Sequence, residues 1–563
     1  MLTAGVVGAF FTALALTLTI SVMVSLGLAL FVSPSLCVAF LRVREGAPEH
    51  GRLFARVLKF YEKLLHFGLR HRWVLPVSAL AIVGATVFFA SKLGTGFMPT
   101  MDEGAFILDY WTPPGTSLAE SDRLLKRIEA VLQETPEVGA FSRRTGTELG
   151  FAITEPNRGD FSVILKSQRK RTIDAIMDDI RDKVKDVAPG VDVDFVQVLQ
   201  DLIGDLAGAP APIEIKLFGE SPEVLQTLAR EIGAKLEKIA GVTDMKAGVI
   251  ETGPELTAKI DPVRARRAGL TPDQIAQQAN AALFGDVPTF LLQGERQVGV
   301  RVRFPEAFRQ DKAQMSLIPI RSPNGFALPL SSLGTIETVA GSAELNRENQ
   351  RRMISVEGRL TNRDLGSVMR DVQALMLSQK LPPGVTFQLG GQFQSQNESF
   401  QNLLLVLASA ILLVYGVMLF QFRSFTAPTV ILLVMPLSLF GVTLGLTLTK
   451  TPFNVSSFMG AIMLVGIVVK NGILLLDHAQ KAEERGVPLL QAALHAGEAR
   501  LRPILMTTLT AILGLVPLAL GLGAGAEMQK PLAVAVIGGL TFSTAFTLLF
   551  APLMYVAFRR RQS

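Results

Sequence analysis

The sequence predicts an α-helical polytopic membrane protein with a large extracytoplasmic α+β region built from split βαβ units. Three observations predict this. Apolar residues make up 49% of the 563, and long charge-free runs bracket one polar block over residues 94–402. Basic residues cluster beside those runs on the side that one alternation of spans assigns to the cytoplasm. Inside the polar block, strand, amphipathic helix, turn and strand recur four times. A chain of this length exceeds what one core supports, so at least two bodies are expected.

Residues 6–41 form a nearly uncharged run, about 54 Å long if wholly helical. That exceeds the ~7–15-residue apolar core of a signal peptide, and it exceeds the hydrocarbon layer, so the run should tilt or protrude. Ser33-Pro34 is expected to bend it near its end. Residues 42–72 follow, with Arg42, Arg44, Arg52, Arg56, Lys59, Lys63, Arg70 and Arg72 against few acids. Leu53, Phe54, Val57, Leu58, Tyr61, Leu64 and Leu65 fall at helical spacing, which suits a basic amphipathic helix on the inner leaflet. An ordinary cytoplasmic loop is the alternative, and both place the segment inside.

Further spans are read at 73–93, 403–420, 428–448, 455–476, 503–522 and 532–558. Alternation puts Arg423, then Lys481, Arg485, Arg500 and Arg502, then Arg559, Arg560 and Arg561 inside. The polar block and the loops at Lys450 and 527–530 fall outside. Topology therefore accounts for the net charge of +6 without a nucleic-acid partner.

In the polar block, helices at 117–134, 172–187, 222–239 and 365–380 each lead to a Pro/Gly turn carrying valine. Each follows an alternating stretch, at 106–111, 161–166, 213–218 and 352–359. This implies layered sandwiches with helices on one sheet face. Residues 255–336 interrupt the third and fourth units. They hold a helix at 271–283 opened by Thr271-Pro272 and a hairpin at 288–304 around Gln293-Gly294-Glu295. The single Cys37 and five scattered histidines supply neither a disulfide nor a metal-ligand spacing. No nucleophile–base pair is found, and an enzyme is not expected.

The stretch FMGAIMLVGIVVKNGILLLD, residues 458–477, sets Lys470 and Asn471 inside an apolar run. A charge at that depth marks an ion path, a proton relay or a counter-ion, the alternative being an amine that snorkels to the headgroups. Asp477 stands about two turns away, roughly 10 Å, which a lysine stem does not comfortably cover.

Span order, the outside block and Lys470 together resemble the resistance–nodulation–division (RND) efflux permeases over nearly the whole chain. GFMPTMDEGAFILDYWTPPGTS (96–117) resembles that family's passage from seventh span to porter domain. GIVVKNGILLLD (466–477) resembles its tenth span, RLRPILMTTLTAILGLVPLAL (500–520) its eleventh, and the opening run its sixth. The resemblance implies a proton-driven antiporter of the bacterial inner membrane, a homotrimer without a cofactor. It would work with a periplasmic adaptor and an outer-membrane channel. Lys470, Asn471 and Thr507 match the proton relay; a threonine bonding its own helix backbone is the equal alternative for Thr507. Residues 1–41 would be the sixth-span-like helix, 42–72 a cytoplasmic linker, 73–93 a span, and 94–209 the first porter subdomain. Residues 210–253 with 344–392 would form the second subdomain, 254–343 the docking insertion, 403–558 a five-helix bundle and 559–563 a cytoplasmic tail.

The family's proton-carrying carboxylates lie in its fourth span, and this sequence opens at the sixth. Lys470 is therefore expected to need an N-terminal half, encoded separately or lost by truncation. Transport as the C-terminal portion of such a permease is one reading; a membrane scaffold that only docks or trimerises is the other. Copper and silver members carry methionine six residues after the Glu of the Glu-Gly motif. Counting from Glu103 gives Asp109, which disfavours copper(I); Asp109 or Asp102 would suit a harder divalent ion, a merely solvated strand acid being the commoner alternative. Phe106, Tyr110, Trp111, Phe141, Phe151 and Phe161, with Asp109, are the candidate pocket residues, aromatics that would suit an amphiphilic drug; core packing is the commoner use of such residues and the alternative.

Overall fold

The structure is a computed structural model and describes residues 5–40, 52–71, 73–99, 101–147, 157–206, 211–248, 253–339, 346–523 and 525–559. Arg42, Arg44, Arg72, Phe151, Arg560 and Arg561 lie outside the described residues.

Among the described residues, seven helices are long and apolar enough to cross a membrane: Ala15–Phe40, Val74–Lys92, Gly391–Phe422, Thr426–Leu448, Val455–Glu484, Leu489–Ala519 and Ala526–Arg559. The first is not one straight helix. A π-helical turn at Leu28–Val32 separates Gly5–Gly27 from Ser33–Phe40, and the Ser33 N–H donates to the Leu28 carbonyl. Pro34 has no N–H to offer the preceding turn, so the extra residue absorbs the missing bond. Several helices also run past the hydrocarbon: Leu489–Ala519 continues through Pro503, because its first fourteen residues pack among helices outside the apolar run.

The bundle centres on Ala526–Arg559, which packs against Val455–Glu484, Leu489–Ala519 and Leu439–Leu448. Close approach is made by glycine. A Cβ on Gly460 would sit 2.8 Å from the Leu532 carbonyl oxygen, and one on Gly441 would strike the carbonyl of Gly538. Small residues let membrane helices gain dispersion contact along the backbone.

In the polar block β1 (Ala105–Trp111), β2 (Val138–Thr145), β3 (Arg158–Leu165) and β4 (Asp192–Gln197) form an antiparallel sheet ordered β2-β3-β1-β4. Helices Leu118–Glu134 and Ile173–Val187, capped by the hydroxyls of Ser117 and Thr172, cover one face of it. A second sheet begins with β5 (Ile213–Phe218) and β6 (Val242–Lys246). The chain then leaves it for β7 (Glu255–Ile260), β8 (Asp286–Gln293), β9 (Arg296–Val302), β10 (Pro319–Arg321), β11 (Ala327–Pro329) and β12 (Gly334–Val339). It returns with β13 (Arg347–Glu348), β14 (Arg351–Leu360) and β15 (Thr386–Gly390). The order β6-β14-β5-β15 repeats the topology of the first sheet. The excursion has its own small core, including Ala265, Ile275, Ile320 and Leu333, and its β8–β9 hairpin is exposed along both strands.

The two ends of the bundle differ chemically. At one end Gly96 N–H donates to the Phe453 carbonyl (3.0 Å) and Phe453 N–H to that of Gly94 (2.7 Å). There Asp102 N–H donates to the Glu527 carboxylate (2.6 Å), tying the sheets to the helices. At the other end Tyr61 donates to the Leu548 carbonyl (3.0 Å) and Tyr555 to Glu483 (2.9 Å).

The amphipathic helix is observed at Arg52–Arg70 and packs one side on the bundle. Tyr61 and Leu65 are buried against the bundle, while Val57, Phe60, Leu64 and Phe67 face outward. The Lys166–Arg171 run is a mostly exposed bend that carries ion pairs. Arg171 bonds Glu137 (2.6 Å) and Asp179 (2.9 Å), and Arg169 pairs with Asp102. The run itself holds no acid, so its partners come from other segments.

Candidate functional site

Lys470 stands midway along Val455–Glu484, a helix fixed at its start by an Asn454–Ser457 capping box. That cap satisfies N–H groups that would otherwise lie unpaired at the bundle rim. Asn471 is 3% exposed, buried in the bundle, while Lys470 and Gly466, one turn before it, are exposed on an adjoining face. The two polar neighbours therefore point to different surroundings. Asp477 is held by Lys481 at 2.8 Å, and among the described residues Lys470 forms no ion pair. Thr507 is also exposed, and its hydroxyl donates to its own helix at the Ile504 carbonyl (3.1 Å). The buried hydroxyl is its neighbour: Thr508 meets Thr544 across helices at 3.0 Å.

The second constellation lies between the two sheets. β1 is central in its sheet, and strict alternation sends Phe106, Leu108 and Tyr110 to the helix-covered face and Asp109 and Trp111 to the other. On that second face the register aligns Arg144, Asp160, Asp109 and Asp194 in one row across four strands. Three carboxylates directly opposite one another repel, so the row needs cations. Arg144 grips Asp160 through two bonds (2.6 and 2.9 Å). The second sheet supplies the rest: Arg359 on β14 donates to Asp194 at 2.9 Å, and Lys246 on β6 at 2.7 Å. Burial would raise the Asp194 pKa, but the adjacent Arg359 and Lys246 outweigh it and hold it down at about 2. On the same boundary Arg181 binds Asp244 at 2.9 Å. Burial nevertheless pushes the Asp244 carboxyl up. A cleft of about 190 Å³ remains, lined by Asp109, Trp111, Asp194, Asp244, Lys246 and Arg359 among others. The Lys246 amine also lies 3.9 Å from the centre of the Trp111 ring.

The aromatic pocket is corrected by this geometry. Phe106, Tyr110 and Phe161 are wholly buried in the core beneath the helices, and Phe141 packs at its margin. Tyr110 spends its hydroxyl on the Arg144 carbonyl and the Thr145 hydroxyl, each at 2.8 Å. Phe151 lies outside the described residues. Of the candidate pocket residues that are described, Asp109 and Trp111 alone line the cleft. Asp102, the other acid considered for a divalent ion, is taken by Arg169 and the Ile173 N–H. Sequence reasoning missed Asp194, Asp244, Lys246 and Arg359. They come from three strands distant in sequence, β4, β6 and β14, and the one local signal was the charged residue interrupting each alternating run.

A sequence model of the AcrB/AcrD/AcrF family matches residues 1–559. The chain belongs to that family. Within this family of RND permeases it is similar to the cobalt-zinc-cadmium resistance protein CzcA of Cupriavidus metallidurans, at 32% identity over 565 residues, covering 98% of this chain and 53% of that one. It is similar also to the nickel-cobalt-cadmium resistance protein NccA of Alcaligenes xylosoxydans xylosoxydans, at 29% identity, covering 99% and 53%. The crystal structure of a heavy metal efflux pump superposes with a TM-score of 0.82 at 25% identity, covering 91% of this chain and 52% of that one. The chain thus spans about half the length of the relatives it matches. As an RND permease chain with seven candidate spans, it is a multi-pass protein of the inner membrane.

Proposed function

We propose that this chain is the C-terminal portion of an RND permease that exports divalent heavy-metal cations, driven by protons. The observation that carries the cargo assignment is the cleft wall of Asp109 and Asp194, carboxylate oxygens that suit a divalent ion where a thioether would suit copper(I). Relatives named for cobalt, zinc, cadmium and nickel support it. Of the aromatics that would have favoured an amphiphile, Phe106, Tyr110, Phe141 and Phe161 are engaged in the core.

The coupling reading rests on Lys470. An ammonium on an open helix face at membrane depth is costly unless a carboxylate comes to it. The N-terminal half of the permease would bring that carboxylate, and protonating it would free the lysine and let the helices shift. A periplasmic adaptor, an outer-membrane channel and trimerisation would complete the pump. Co-expression with a matching N-terminal half, adaptor and channel in a metal-sensitive host tests this. Zn²⁺ and Co²⁺ tolerance should appear and be lost in Asp109→Asn. Tolerance unchanged in that variant would refute the cargo site.

A further inference from the structure

The charges between the two sheets form a device as well as a wall. The first sheet presents a row of three carboxylates, Asp160, Asp109 and Asp194. Across the gap, the second presents Arg359 and Lys246, both on Asp194. The pairing is two-sided: Arg181 of the first sheet's covering helix reaches the second sheet's Asp244. Thr361, just past β14, donates to Asp178 at 3.2 Å. Contacts between the sheets at this boundary are thus charged and directional, unlike the apolar packing within each. Such contacts hold strongly when matched and release when one partner is replaced.

The two cations on Asp194 are not equivalent. The Arg359 side chain is 14% exposed and fixed by its bidentate fork; the Lys246 side chain is 36% exposed and stands at the cleft on the Trp111 ring. An ammonium on a flexible stem exchanges partners more readily than a planar guanidinium. We propose that Asp194 is the keystone of an electrostatic latch holding the two sheets closed over the cleft. In it Arg359 is the fixed bolt and Lys246 the movable one, and a divalent cation entering the cleft loosens the latch by displacing Lys246. The opening half rests on the divalent-cargo reading; the latch itself does not. A divalent ion is suited to the exchange because it brings to Asp194 and Asp109 the charge that one amine removes and adds another. Lys246 returning to Asp194 would then expel the ion toward the exit.

The test uses the full chain in nanodiscs, with Cys37→Ser and spin labels at Lys185→Cys and Lys238→Cys, exposed positions on either side of the boundary. Double electron–electron resonance reads the distance between them, with Zn²⁺ as the probe. Without metal, the unsubstituted latch should give one narrow distribution, Arg359→Gln a longer and broader one, and Arg359→Lys a partial return. Zn²⁺ should lengthen the distance in the parent, and Lys246→Met should lower the Zn²⁺ midpoint about tenfold by removing the competitor. Should Arg359→Gln lose its cooperative melt, Lys246→Met alone carries the metal-free comparison, where broadening is expected. Unchanged distributions in the folded variants overturn the latch. Opening in the variants with no response to Zn²⁺ in the parent keeps the latch and overturns the metal reading.

Discussion

Two glycines on the helix that carries Lys470 offer a graded test. Gly460 faces the bundle: an added Cβ would stand 2.8 Å from the Leu532 carbonyl oxygen and 3.1 Å from the Ala535 Cβ. A carbon–oxygen contact closes to about 3.3 Å at best, so the neighbouring helix must retreat by roughly half an ångström. Gly466, nearly two turns on, has nothing within 4 Å. Replacing either by alanine gains the same helix propensity, about 1 kcal/mol. The difference between the two variants therefore isolates the clash, expected at ~1–3 kcal/mol against Gly460→Ala. Thermal melts of the purified chain in detergent should place Gly460→Ala several degrees below Gly466→Ala. A larger residue extends the test to the open face. Gly466→Leu should leave the melt of the chain alone intact yet weaken its co-purification with an N-terminal half, if that half packs beside Lys470. Equal melts for the two alanine variants would refute the packing, and undiminished co-purification would refute the docking face.

Thr508→Val should cost about 0.6–1 kcal/mol through loss of its hydroxyl contact with Thr544, whereas Thr507→Val should stay within ~0.5 kcal/mol; the same detergent melts check both. Asp194 has its folded pKa lowered from 3.8 to about 2, so its stabilisation is complete above its unfolded pKa and is lost as pH falls through about 2. The loss, about 2 kcal/mol between pH ~4 and ~2, should register in the fluorescence of Trp111 in a Trp73→Phe background. Asp194→Asn should remove that acid transition.

Much of the fold was legible because it depends on local periodicity. Charge-free runs marked the spans, and Thr271 marked a helix start by the hydroxyl chemistry the structure uses there and at Ser117 and Thr172. The interruption of the second sheet was visible as a break in a repeating unit. The phase of β1 was legible too, yet the aromatic set was read by composition and not by parity. Even positions 106, 108 and 110 belong to the core, and odd positions 109 and 111 to the cleft. The cross-sheet charges could not be read, since Asp194, Lys246 and Arg359 meet only when two copies of one topology face each other. The outward face of Lys470 also escaped notice, because burial of one helix side depends on which neighbours it has.

Lys470 decides the central claim. Proteoliposomes holding this chain with its N-terminal half, loaded with a Zn²⁺ indicator and given an imposed proton gradient, report coupled transport directly. Zn²⁺ movement that depends on the gradient in the parent and falls to the level of empty liposomes in Lys470→Met is the expected result. Transport at the parent rate in Lys470→Met, with the gradient still dissipated, would contradict it.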